Sequence, residues 1–99
     1  MIDYEFTTAE ELGLGLAEKV RERRLALGWK QSTLAERSGV SLGSLRRFES
    51  QGLISLNSLL NIAMSLGHLE DFMSLFEAPP IQSLDDLESA ETVARRGRL

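Results

Sequence analysis

Apolar side chains recur every three or four positions along most of this chain, and almost nowhere do they alternate singly with polar ones. The first pattern gathers apolar positions on one face of a helix; the second, that of a strand, never lasts long enough to count. Aromatic and β-branched residues are sparse as well, so the chain reads as all-α. "TAEE" sets Glu11 three residues after Thr8, the spacing of a capping box, and a first helix is expected to start there. A pause is expected at the "GLG" of residues 13–15, with the helix then running from Leu14 to Leu27. Its apolar stripe is Leu12, Leu16, Val20, Arg24 and Leu27, in which an arginine is out of place. Gly28 is positioned to end it.

Four further elements follow from the same spacing. "QSTLAERS", residues 31–38, is a short helix with Leu34 and Ala35 inward and Lys30, Glu36 and Arg37 outward. Gly39 makes the turn, Ser41 caps a third helix from Leu42 to Ser50, and Leu45 and Phe48 share its inner face. A fourth helix, capped by Ser55 or Asn57, carries Leu59, Ile62, Ala63 and Leu66. "LEDFMSLF" predicts a fifth with Leu69, Phe72, Met73 and Phe76, before Pro79 and Pro80 break the chain. The tail beyond is expected to be either a helix capped by Ser83, acidic at its start and basic at its end, or disordered.

Size and composition narrow what such a bundle does. Ninety-nine residues, 42% of them hydrophobic, fit one small domain. No apolar run approaches the roughly 20 residues of a membrane span, and "MIDYEF" lacks the basic start of a secretion signal. The absence of cysteine removes disulfides, thiolate zinc sites and cysteine nucleophiles, and suits a reducing cytoplasm. A net charge of −4 argues against nucleic acid until its distribution is read. From Lys19 to Arg47 eight bases face two acids, while both flanks are acidic. Local potential, not total charge, governs a phosphate contact.

That basic segment also holds the most specific pattern. Two short helices joined by a glycine turn make a helix-turn-helix. Their steep crossing needs a small residue, Ala35, and the turn needs a positive φ, supplied by Gly39. The second helix then presses Leu45 and Phe48 inward, with Val40 sealing the turn. At this point "RERRLALGWKQSTLAERSGVSLGSLRRFESQG", with "LLNIAMSLG" after it, resembles the Xre/Cro-type helix-turn-helix DNA-binding domain of bacterial and phage repressors. The likeness covers about residues 14–76. It implies a five-helix repressor-type domain over residues 1–78, with residues 79–99 as a helical or disordered tail.

The resemblance also implies roles. Gln31 would bond a phosphate and contact a base. Ser41, Leu42, Gly43 and Ser44 would open the recognition helix at the major groove, with Arg47 one turn on. Arg46 and Lys30 suit phosphates. Arg24 and Glu49 match a family ion pair that ties helix one to the end of helix three, which accounts for the arginine on the apolar stripe. Leu42 and Gly43 stand where many relatives carry polar base readers. Leucine offers contact with a thymine methyl and glycine a close backbone approach, so direct readout falls on Ser44 and Arg47. Without the surrounding motif, Arg46 and Arg47 would be a solvated helix face and Gln31 a plain helix start.

One recognition helix covers few base pairs, so a homodimer on a palindromic double-stranded operator is expected. Leu69, Phe72, Met73 and Phe76 are candidate dimer surface or plain core. The ending "PPIQSLDDLESAETVARRGRL" is similar to the C-terminal ends of HipB-like antitoxins, which pair with a HipA-like kinase toxin and repress their own operon. The function expected is therefore a cytoplasmic transcriptional repressor, the antitoxin of a type II operon. The alternatives are a general repressor without a toxin, or a protein-interaction scaffold. No catalytic constellation stands out: Trp29 reads as a hydrophobic staple, and the single histidine, His68, as a surface residue. No metal, cofactor, membrane or small-molecule effector is expected, nor a ligand pocket.

Overall fold

The computed structural model describes residues 8–79. Within them the chain forms four α-helices, α1 (Ala9–Ala26), α2 (Gln31–Ser38), α3 (Leu42–Gln51) and α4 (Leu56–Ser65), then a 3₁₀ turn at Leu69–Phe72. No strand occurs among the described residues. The expectations for the tail helix from Ser83 and for "MIDYEF" lie outside them.

Hydroxyl caps start three of the four helices. Thr8 Oγ1 accepts from the Glu11 amide at 3.0 Å, Ser41 Oγ from Ser44 at 3.1 Å, and Ser55 Oγ from Ser58 at 3.2 Å. Each satisfies a backbone donor that the helix leaves unpaired. Of the two caps open for α4, Ser55 is the one used, and Asn57 lies inside the helix. No side chain caps α2; Trp29 packs instead against the core cluster that contains Leu34. Those are the two ends of a hydrophobic staple. At the far end of α1, Trp29 N donates to Arg24 O at 3.1 Å and Gly28 N to Leu25 O at 2.9 Å. That bond pair is a Schellman close, and α4 ends the same way through His68 and Gly67.

The core is a single cluster of Leu34, Ala35, Val40, Leu45, Ile62 and Leu66, drawn from α2, α3, α4 and the turn between α2 and α3. Phe48, Ala17 and Ala63 are buried beside it. Gly39 turns α2 into α3 at φ +72°, a conformation that L side chains rarely adopt.

Helix α1 departs from its expected form. It runs unbroken through "GLG". Its buried residues are Gly15, Ala17 and Arg24, whereas Leu12, Leu14, Leu25 and Leu27 are exposed. The glycines are there for proximity. A Cβ on Gly13 would stand 2.7 Å from the Gly52 carbonyl oxygen, and one on Gly52 2.6 Å from the Leu14 amide. Helix α1 thus meets the end of α3 backbone to backbone, too closely for leucines to intervene.

The fifth helix does not form. After Gly67 the chain makes successive three-residue turns, Asp71 N to His68 O, Met73 N to Glu70 O and Leu75 N to Phe72 O. Phe76 then takes φ +65°. A short helix needs a packed face to offset its nucleation cost. Here Leu69 and Phe72 are only half-buried, Met73 is 73% exposed and Phe76 fully so. The four do not form one buried stripe.

Candidate nucleic-acid interface

Every residue singled out between 24 and 49 is placed by the α2–turn–α3 unit and its tie to α1. The tie is an ion pair. Arg24 Nε donates to Glu49 Oε2 and Nη2 to Oε1, both at 2.9 Å. The two side chains are only 8% and 5% exposed. Arg24 Nη1 donates to the Trp29 carbonyl at 2.9 Å, so the guanidinium also fixes the loop leading into α2. A bidentate, charge-assisted pair of this kind holds direction as well as distance. Arg37 stacks over the Trp29 ring, 4.5 Å from its centroid, clamping α2 onto the same loop.

Gln31 belongs to this network, which the spacing along the chain does not reveal. Its Nε2 donates to Glu49 Oε1 at 3.2 Å. Glu49 therefore orients the amide of the first residue of α2, leaving Oε1 and one N–H of Gln31 for other partners.

Burial of Leu45 and Phe48 sets the rotation of α3. With those two inward, Ser41, Gly43, Ser44, Arg46 and Arg47 are all exposed. Ser44 and Arg47, three apart, share a face. With Leu53, Ile54, Ser55 and Ser58 they line a cleft of about 370 Å³, so the start of α4 borders the same surface. Nothing in the residue pattern announces that neighbour except the cap serine itself. The Ser44 hydroxyl accepts from Ser41 at 2.8 Å and keeps its own hydrogen to donate. Leu42 is different: half-buried against the core cluster, it offers only part of its side chain to anything outside. A Cβ on Gly43 would meet nothing within 4 Å, so internal packing does not require a glycine there. Lys30 is exposed at the N-cap of α2, and neither it nor Arg46 nor Arg47 has an ion-pair partner among the described residues.

A second recess lies on another face. An apolar groove of about 550 Å³ runs between α1, α4 and the 3₁₀ turn. His68 sits at its edge, with Nδ1 3.0 Å from Asp71 Oδ2. Among the described residues no three His, Cys, Asp or Glu side chains are grouped to hold a metal, and no helix is long and apolar enough to cross a membrane.

Two short helices crossing at Ala35, the second presenting an exposed serine- and arginine-bearing face, define a DNA-binding type of fold. The family model described as helix-turn-helix matches residues 20–72, more than half of the chain. The chain belongs to this Xre/Cro-type helix-turn-helix family, one of DNA-binding transcription regulators and not of enzymes. No curated protein and no solved structure is similar enough to count as a match.

Proposed function

We propose that the chain is a sequence-specific transcriptional repressor that binds a palindromic operator as a homodimer, with residues 1–78 as the DNA-binding domain. The observation that carries this reading is the outward face of α3, where Ser44 and Arg47 stand together and exposed, with no acidic partner among the described residues. In this reading the start of α3, from Ser41 to Ser44, enters the major groove. Arg47 makes two hydrogen bonds to a guanine edge and Ser44 donates to a neighbouring base. Arg46, Lys30 and Gln31 take phosphates, which set register but carry no sequence information. Leu42 contributes through the exposed part of its side chain, and Gly43 lets the backbone approach.

A finer reading makes the chain the autoregulating antitoxin of a type II operon, acting in the cytoplasm, with residues 79–99 meeting a HipA-like kinase toxin. The likeness of its ending to HipB-like antitoxins supports this. Footprinting on the chain's own promoter tests the repressor reading. A protected palindrome is expected, lost on Arg47→Ala and Gln31→Ala while any protein partner is retained. Unchanged protection in both variants overturns it. Sedimentation as a monomer at micromolar concentration, alone and on DNA, overturns the dimer.

A further inference from the structure

Among the described glycines, Gly43 is the one whose missing side chain the fold does not need. It is exposed, it keeps a right-handed backbone inside α3, and a Cβ there would meet nothing within 4 Å. The others take a positive φ, meet another backbone closely or are buried in α1. Glycine weakens a helix more than any residue but proline, so Gly43 carries a cost that nothing inside the molecule offsets. A residue that breaks a local rule without an internal reason points to a contact made outside.

Two observations say what that contact is. Gly43 is the second residue of α3, one turn before Arg47 and on the same face. Its neighbours are Ser44, whose hydroxyl has its own hydrogen to donate, and Leu42, which is half-buried and offers only hydrocarbon. A bare Cα beside a leucine leaves apolar room at the tip of the helix, with no side-chain donor or acceptor to read a polar edge. The apolar group that a base pair presents in the major groove is the thymine C5-methyl. A methyl on the protein at this spot would compete with it for the same space.

We infer, on the reading that α3 enters the major groove, that Gly43 determines specificity: the space left by its missing side chain seats the C5-methyl of one thymine in each half-site. Gly43 is then a reader of shape beside the two hydrogen-bonding readers, Ser44 and Arg47.

The test exchanges one methyl group between protein and DNA. In the operator duplex defined by footprinting, each thymine of a half-site is replaced singly by uracil, which keeps the hydrogen-bonding groups and lacks the methyl. Binding of the full chain and of its Gly43→Ala variant is measured across the set, with thermal unfolding to show that the variant is folded. For the parent chain, one uracil is expected to weaken binding about fourfold, the value of burying one methyl group. Gly43→Ala is expected to lose about tenfold on the thymine operator through overpacking. On the duplex with that one uracil it is expected to bind more tightly than on the thymine operator, because its new methyl fills the space that the thymine methyl vacates. If parent and variant change in step at every uracil, the space seats no methyl, which overturns the inference and leaves the DNA reading in place. If Ser44→Ala and Arg47→Ala also bind the operator like the parent, α3 is not the reading helix, and both fall.

Discussion

Arg24 and Glu49 face each other across 25 positions of sequence with two parallel hydrogen bonds of 2.9 Å, nearly out of reach of water. A buried pair is a poor source of net stability but a severe loss when half of it is removed, because the other charge stays behind unpaired. Glu49→Gln keeps the shape and deletes the charge. It is expected to lower unfolding free energy by about 3–5 kcal/mol, a large share of the roughly 5–15 kcal/mol of a small domain. Replacing both residues with leucine is expected to recover part of the loss. Urea titration of the three proteins checks this; equal stability of Glu49→Gln and the parent would refute it.

Two glycine-to-alanine changes are expected to have opposite signs. At Gly13 the new methyl would fall 2.7 Å from the Gly52 carbonyl oxygen, so α1 and α3 must part, at a cost of about 1–3 kcal/mol. At Gly43 it meets nothing, and better helix propensity raises stability by up to about 1 kcal/mol. If the backbone at Gly43 approaches DNA, the stabilised variant nevertheless binds operator more weakly. Thermal unfolding beside a binding titration separates the two effects.

How much of this was legible beforehand differs from element to element. The caps at Thr8, Ser41 and Ser55 and the closes at Gly28 and Gly67 use local chemistry, written within four or five residues. The core of α2, α3 and α4 followed from spacing because those helices bury ordinary apolar stripes. Helix α1 misled in part: Val20 packs on the core, Leu16 is half-buried and Arg24 buried, but Leu12 and Leu27 of the same stripe are exposed, and the closest approach to α3 is made at Gly13 and Gly52, which have no side chains to leave a periodic trace. The segment from Leu69 misled in the opposite way: it carries the apolar residues of a helix but lacks a surface to pack all of them against. The bond from Gln31 to Glu49 spans 18 positions and links two polar residues, so no periodicity could signal it.

That bond makes Gln31 a residue with two duties. Its amide shares Glu49 Oε1 with Arg24 Nη2. Gln31→Glu would set a second carboxylate against Glu49, and like charges at that range compete for one guanidinium. The expected outcome is a drop in melting temperature together with weaker DNA binding. Gln31→Ala loses a hydrogen bond to a charged group, worth about 1.5–3 kcal/mol. A binding defect at this position is therefore read only after stability has been measured. If Gln31→Ala melts like the parent, the network is not what holds the residue.

Arg46 and Arg47 are neighbours in sequence, both exposed, yet about 100° apart around α3. Only Arg47 shares the face and cleft of Ser44. If Arg47 reads a base and Arg46 neutralises backbone, their alanine variants fail differently. Arg46→Ala is expected to weaken operator and unrelated DNA alike and to make the salt dependence shallower by about one counterion. Arg47→Ala is expected to lose about 1–3 kcal/mol on the operator but little on unrelated DNA, and to relax specificity at one base pair in each half-site. The measurement is binding of both variants to both DNAs across a salt series. Identical behaviour of the two would place both arginines on phosphate and remove Arg47 as a source of sequence preference.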